Sequence, residues 1–401
     1  MKRVLIFSLN YYPRFIGGAE VAIKEITDRI EDVEFHMVTL RFDSSLPEVE
    51  KVGNVLVHRI GFTKRNPSIS DLRRFPLHLN KHYFQIAAAF KAMSLHRLYR
   101  YDGTWAMMAH SCGIPAGIFK FFNPKVPYLL TLQEGDPPEA IERMMRPVFP
   151  LFRNAFRSAD YLQAISNFLL AWGMHMGFGG KGTVIPNAVN TAHFGAKPSE
   201  DVVMRESARI GKKAGDVFLV TTSRLVPKNA VDTVIEALPS LPENVHFVVY
   251  GIGPDEDALK VLANRLKVAP RVHFMGQISH ADMPSALLAC DIFIRPSRSE
   301  GMGNSFVEAM AAGRPVIATQ EGGIADFLFD AKRNPEKETT GWAVDAEAPE
   351  QVAEVVKEIL GNPEQVTKVI ATARRMAVEK YDWSLIARNM QDLFRRMLAI
   401  H

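Results

Sequence analysis

Short apolar runs without polar alternation recur through this chain, and stretches of helical period separate many of them. In the first half the runs are Val4–Leu9, Phe35–Leu40, Val55–Ile60, Trp105–Ala109, Tyr128–Leu132, Tyr161–Ile165 and Val184–Ile185. The pattern then restarts. Val217–Thr222, Val245–Tyr250, Val272–Met275, Ile292–Arg295 and Val316–Thr319 read as strands, with Ala230–Leu238, Glu256–Leu266, Phe306–Ala312 and Pro349–Leu360 as helices. A strand that is apolar on both faces has to be covered on both, as in a parallel sheet between layers of helices. The class this predicts is α/β, with two doubly wound, Rossmann-like parallel sheets facing across a cleft.

The break between the two series, residues 186–216, mixes Pro186, Gly195, Pro198 and Gly211 with many charges, and only its later part reads as a helix. The expected division is residues 1–190 and residues 191–382. The last segment, 383–401, has Leu385, Ile386, Met390, Leu393, Met397 and Ile400 at helical spacing. Ligands of doubly wound sheets bind beyond the carboxyl ends of the strands, so residues just after strands carry the most weight.

Composition removes several classes. With 47% hydrophobic residues the chain can bury a core and is not a disordered one. Its two cysteines, Cys112 and Cys290, lie far apart, which excludes a disulfide scaffold and suits a reducing, cytoplasmic setting. The most apolar stretch, 161–180, is interrupted by Gln163, Ser166, Asn167 and His175, so no membrane span is expected. The opening MKRVLIFSLNYY has too short an apolar core for a signal peptide and reads as the first buried strand. Charge is uneven: residues 1–195 carry 23 Lys and Arg against 16 Asp and Glu, and most of the excess falls between Leu72 and Arg157. Such an excess is either a solvated surface or one that meets anionic lipid or a phosphorylated acceptor.

The densest chemistry lies in RPSRSEGMGNSFVEAMAAGRPVIATQEGGIAD, residues 295–326. It reads as a strand end, a glycine-containing loop with Glu300, a helix with Glu308, a strand, and a Gly-Gly loop opening a second helix. Gly301 and Gly303 allow a ligand close to the backbone. A carboxylate can accept two hydrogen bonds from a vicinal diol such as that of ribose. Ser305-Phe-Val-Glu308 also matches a capping box, in which Glu308 would only close the helix start. In VTTSRLVPKNAVDTVIEAL, residues 220–238, Arg224 and Lys228 lie between a strand and a helix expected to start near Asn229 or Ala230. Two cations at such a point suit a diphosphate.

Gly17 and Gly18 follow the first strand without the spacing of a dinucleotide loop, and Gly251-Ile-Gly253 has no third glycine. His110 stands at a strand's carboxyl end, as a structural or a functional histidine. Gln133, Glu134 and Asp136 follow the next strand.

Together these stretches resemble the family 4 glycosyltransferases, which have the GT-B fold of two Rossmann-like domains. Glu300 and Glu308 match the family's Glu-x7-Glu signature, and Arg224 and Lys228 its phosphate-binding pair. Gly17 and Gly18 match its N-terminal Gly-Gly loop, and His110 its strand-end histidine. VIPNAVNTAHF resembles its interdomain crossing, and VHFMGQIS, which contains Gln277 and Ile278, its base-contacting strand and loop. The resemblance implies retaining transfer of a sugar, a hexose by family frequency, from a nucleoside diphosphate donor to an acceptor hydroxyl. Neither a metal nor a cofactor is implied.

On this resemblance Arg224 and Lys228 stabilise the diphosphate, and Glu308 holds the ribose. Glu300 and the backbone of Gly301, Met302, Gly303 and Asn304 orient the sugar, and His110 contacts it. Gly17 and Gly18 leave room for phosphates or acceptor, and the last helix returns to the first domain. Gln133 and Glu134 depart from the His-Gly that family members often carry; with Asp136 they belong to the acceptor side. The implied partner is the donor; the basic first half adds the expectation of a lipid-linked or saccharide acceptor and an anionic membrane surface at the cytoplasmic face, with no nucleic acid. A nucleotide-sugar-binding protein without turnover is the competing reading. A nicotinamide oxidoreductase is disfavoured by the missing third glycines.

Overall fold

A computed structural model describes the whole chain apart from Phe15, Ile69, Ile400 and His401. The position assigned above to Ile400 therefore lies outside the described residues. The chain divides into two compact units, Met1–Asn187 with Trp383–His401, and Ala188–Asp382.

In the first unit the strands are β1 (Lys2–Phe7), β2 (Val33–Leu40), β3 (Val49–Val52), β4 (Val55–Ile60), β5 (Gly103–Met107), β6 (Tyr128–Leu132), β7 (Tyr161–Ala164) and β8 (Thr183–Val184). They form one sheet in the order β3-β4-β2-β1-β5-β6-β7-β8. All neighbours run parallel except the edge hairpin β3–β4. Val4, Leu5, Ile6 and Phe7 of β1 are all buried, as a central parallel strand requires. The would-be leader is thus the middle of the sheet.

The C-terminal helix Trp383–Leu398 belongs to this unit and packs on the helix Gly18–Thr27. Its buried face, Ile386, Met390, Leu393, Phe394 and Met397, repeats at three to four residues. Phe394 meets Phe35 and Trp105 edge-on, with ring centroids 5.6 and 5.2 Å apart. Asp32 ties the helix's outer side through Gln391 at 2.7 Å and Arg395 at 2.9 Å.

The second unit holds β9 (Val217–Thr222), β10 (Val245–Tyr250), β11 (Val272–Gly276), β12 (Ile292–Arg295), β13 (Val316–Ala318) and β14 (Trp342–Ala343), all parallel. Their order is β11-β10-β9-β12-β13-β14. The first strand of the unit is central, and the winding reverses between β9 and β12. In the first unit it reverses between β1 and β5. A crevice for a ligand opens at such a reversal, beyond the carboxyl ends. The core of the second unit is built from Leu219, Phe247, Ile292, Ile294 and Ile317 of the sheet against Val234, Ile235, Val352 and Val356 of the helices.

Candidate active site

In the second unit the two loops at the reversal carry the residues singled out from sequence. The loop after β9 holds exposed Arg224 and half-buried Lys228. Asn229 donates from Nδ2 to the Arg224 carbonyl at 2.7 Å and fixes that loop from within. Gly251 packs against it from β10: a Cβ there would stand 1.8 Å from the Ser223 carbonyl oxygen. The glycine therefore serves a close backbone approach, which explains a Gly-x-Gly that lacks the rest of a dinucleotide motif.

The helix expected from Asn229 or Ala230 begins later. Pro227–Asn229 is a single 3-10 turn, Ala230 takes a left-handed conformation with φ of 52°, and the helix is Val231–Ala237. Its first-turn Asp232 is clamped by Arg298 at 3.0 and 2.8 Å. The short helix adds little field, so an anion at this loop depends on the side chains of Arg224 and Lys228.

The loop after β12 reaches the loop after β9 directly, since the Arg298 N–H donates to the Lys228 carbonyl at 2.8 Å. Glu300 sits in it with two fixings. Its carboxylate accepts from Arg295 Nη2 at 3.0 Å. Its carbonyl accepts from the Gly323 N–H at 2.9 Å. Gly322 lies at φ +61°, and a Cβ there would stand 2.2 Å from that same carbonyl oxygen. This Gly-Gly pair therefore braces Glu300. The helix it opens, Gly322–Asp326, is a short 3-10 one.

Arg295 was not anticipated. It ends β12 almost wholly buried, donates from Nη1 to Ser305 Oγ at 2.8 Å, and lies 4.2 Å over the Phe306 ring. Burial pulls its pKa down, and the charges of Glu300 and Glu308 push it back up. A charge at the last position of an otherwise apolar strand was the available signal.

The helix carrying Glu308 is Asn304–Ala311, and Gly303 is its N-cap without a side-chain cap. Ser305 lies inside the helix and is engaged by Arg295, so the capping box does not form. Glu308 instead lies 3.8 Å from His280 Nε2, and only 14% of its side chain is exposed. Gly301 is buried and Asn304 partly exposed. Met302 is buried, which leaves only its backbone for a ligand.

Gln277 and Ile278, after β11, line a cavity of about 340 Å³ with Val202, Arg205, Glu206 and Arg209 of the helix Glu200–Arg209. Glu206 accepts from the Tyr250 hydroxyl and pairs with Arg209. Sequence reasoning left this helix in the linker. One Asp-x-Asp spacing, Asp255 to Asp257, opens the helix Glu256–Arg265, where Glu256 pairs with Lys260.

In the first unit Gly17 and Gly18 follow β1, and His110 follows β5, on the two sides of that unit's reversal. The Gly17 N–H donates to Glu20 Oε2 at 2.7 Å. A buried carboxylate thus holds an amide that a phosphate would otherwise use; burial raises its pKa. Gly18 has open space where a Cβ would be. The chain at His110 is a single π-type turn, Ala109–Gly113, entered through Met108 at φ of 66°.

Buried Glu134 organises that turn. It accepts from the Ala109 N–H at 2.6 Å and the Gln133 N–H at 2.9 Å, and its Oε1 lies 3.4 Å from His110 Nδ1. Gln133 exchanges hydrogen bonds with the Asn187 amide at 3.0 and 3.2 Å. Of the three acceptor-side residues only Asp136 is exposed; Glu134 positions His110.

Residues 204–376 match the family described as glycosyl transferases group 1. The matched stretch is the greater part of the second unit. It spans the loops of Arg224, Lys228, Glu300 and Glu308. A GDP-mannose-dependent alpha-(1-6)-phosphatidylinositol monomannoside mannosyltransferase of Mycobacterium tuberculosis is 32% identical over 221 residues, which are 53% of this chain and 55% of the relative. The chain thus spans about half the length of the curated relatives it matches first.

Among solved structures, a sucrose-phosphate synthase from Thermosynechococcus elongatus superposes with a TM-score of 0.80 at 19% identity, with all of both chains covered. An Anabaena protein, HepE, in complex with UDP and glucose superposes at 0.74 and 20% identity, with 98% of this chain and 99% of that one covered. The fold of the whole chain is therefore that of GT-B proteins, two Rossmann-like units with the last helix returned to the first.

Proposed function

We propose that this chain is a retaining glycosyltransferase that moves a hexose from a nucleoside diphosphate sugar to a hydroxyl of a glycolipid or saccharide acceptor. The observation that carries this reading is the junction of the two loops at the second unit's winding reversal, where the loop of Arg224 and Lys228 is joined to the loop of Glu300 by the Arg298 N–H and the Lys228 carbonyl. In the reaction the bond between the anomeric carbon and the diphosphate oxygen breaks. A bond to the acceptor oxygen forms, and the hydroxyl proton passes to the leaving diphosphate. Arg224 and Lys228 stabilise the negative charge that grows on that group, and fixed cations act more strongly there than water does.

Glu308 accepts from the ribose hydroxyls. Glu300, held by Arg295, orients the sugar together with the backbone of residues 301–304, and Gln277 and Ile278 face the base. The loops of the first unit, with His110, Gln133, Glu134 and Asp136, serve the sugar and acceptor, and Gly17 and Gly18 give room beside them. A donor of the guanosine or uridine diphosphate class is supported by the GDP-mannose of the mycobacterial relative and the UDP of HepE. The phosphatidylinositol glycolipid in the relative's name supports a lipid-linked acceptor.

The test is release of nucleoside diphosphate from GDP-mannose and UDP-glucose in the presence of phosphatidylinositol or a simple saccharide. Turnover should fall about 10²–10³-fold in Arg224→Ala and in Lys228→Ala chains that remain folded. Unchanged turnover in both variants overturns the site, and donor binding without turnover on any acceptor returns the reading to a binding protein.

A further inference from the structure

The helix Asn80–Tyr99 of the first unit is apolar on both sides. Phe84, Ala88, Ala92 and Leu95 form its buried face. Tyr83, Ile86 and Phe90 are spaced three and four residues apart, so they form a line on the opposite face. Ile86 is 60% and Phe90 63% exposed. That side of a surface helix is normally polar. Phe62 extends the line, its ring 5.3 Å from that of Tyr83, and Phe75, in the turn before the helix, is 80% exposed. A group of exposed large apolar side chains marks an interaction surface.

Charge identifies the occupant. Residues 72–100 carry Arg73, Arg74, Lys81, Lys91, Arg97 and Arg100 and not one Asp or Glu. Asp71, just before this run, is occupied by Lys64 at 2.6 Å. Basic residues around a line of aromatic and aliphatic side chains fit a helix lying in the headgroup region of an anionic bilayer. Ile86, and Leu98 near the helix end at 71% exposed, would have no stacking role on nucleobases, but both suit the acyl boundary.

We propose that this face docks the protein on an anionic lipid bilayer. The same helix touches the loop of His110 from its inner side, because Gln85 donates from Nε2 to the Ser111 carbonyl at 3.1 Å. Docking therefore holds the loop assigned to the acceptor side about one helix diameter, about 10 Å, from the surface on which a glycolipid lies. Only that last consequence rests on the proposed function.

The experiment is flotation of the full chain with vesicles of phosphatidylcholine alone or with about 30% phosphatidylglycerol. The chain should float with the anionic vesicles only and detach as salt is raised from about 0.1 to 1 M. An Ile86→Asp, Phe90→Asp double variant should lose vesicle binding by about tenfold or more. Arg73→Gln with Arg74→Gln should lose about tenfold as well. Unchanged circular dichroism and melting temperature establish that both variants remain folded. Equal binding to neutral vesicles, or full binding by both variants, overturns the proposal. So does a dimer that Ile86→Asp with Phe90→Asp abolishes while the wild type ignores every vesicle, which would give this face to a second copy. Vesicle binding is read without donor or acceptor. Its failure leaves the transfer reading standing, and failed transfer with binding intact does the reverse.

Discussion

Arg295 is the buried charge on which the loop of Glu300 depends. Removing one partner of a buried pair leaves the other charge uncompensated and costs about 3–5 kcal/mol. Arg295→Met should therefore destabilise by about 3 kcal/mol. Combined with Glu300→Gln it should cost less than the sum of the two single changes. Urea unfolding of the four chains measures this; strict additivity would mean that the pair is not coupled.

A second residue-scale effect lies in the first unit. Burial, then the charges of His36 and Lys91, pull the His58 pKa down to about 4. The unfolded chain takes up this proton first as pH falls, so stability is present above about pH 6.5 and is lost down to pH 4, by up to about 3 kcal/mol. His58→Leu should flatten that loss in urea midpoints taken between about pH 7 and 4.5. A slope as steep as the wild type's would assign the loss to other groups.

Glu300, Glu308, Arg224 and Lys228 were legible because each follows a strand, alone or through a short helix. Glu134 was not legible as a buried carboxylate, because what buries it are backbone amides at Ala109 and Gln133, which have no mark in the sequence.

At the scale of elements, a strand was legible where both its faces are buried. Val55–Ile60, Tyr128–Leu132, Val217–Thr222, Val245–Tyr250 and Ile292–Arg295 have the bounds expected from the apolar runs. The edge strand Val49–Val52 was missed because Glu50 and Lys51 break its run, and Trp342–Ala343 because two residues make no pattern. The helix Asn80–Tyr99 was missed for a different reason. Its outward line of Tyr83, Ile86 and Phe90 cancels the periodicity of its inward face, so the residues that hid the element from a periodicity argument are those that would meet a bilayer.

The returning helix Trp383–Leu398 makes the first unit depend on the end of the chain. Phe394 is fully buried between Phe35 and Trp105, and Phe394→Ala should destabilise by about 3–5 kcal/mol. Chemical denaturation checks this, and a loss below about 1 kcal/mol would mean that the helix is dispensable to the core.

At the scale of the whole molecule, the two units have different balances of charge. Basic excess gathers in the first, around a helix with no acidic residue and a loop organised by Glu134 and His110. The second holds cations at its winding reversal and a cavity of about 340 Å³ beside Gln277. No described helix is long and apolar enough to cross a membrane. Fold class was legible because repeated buried strands leave few other solutions. The helix Glu200–Arg209, which supplies Arg205, Glu206 and Arg209 to that cavity, was legible as a helix in the later part of residues 186–216 but not as the wall of a cavity: its apolar positions are few and none of its residues is buried. Under the proposed function the base of the donor would be read by contacts of that kind, which makes it the part of the reaction least visible in a linear sequence.

Calorimetric titration of the full chain with GDP-mannose and with UDP-glucose tests the central claim most directly. One of the two should bind, and the Arg224→Ala, Lys228→Ala double variant should bind it at least about 100-fold more weakly, since each charge-assisted bond contributes about 1.5–3 kcal/mol. Equal affinity in the wild type and the double variant would contradict a diphosphate held between those two side chains.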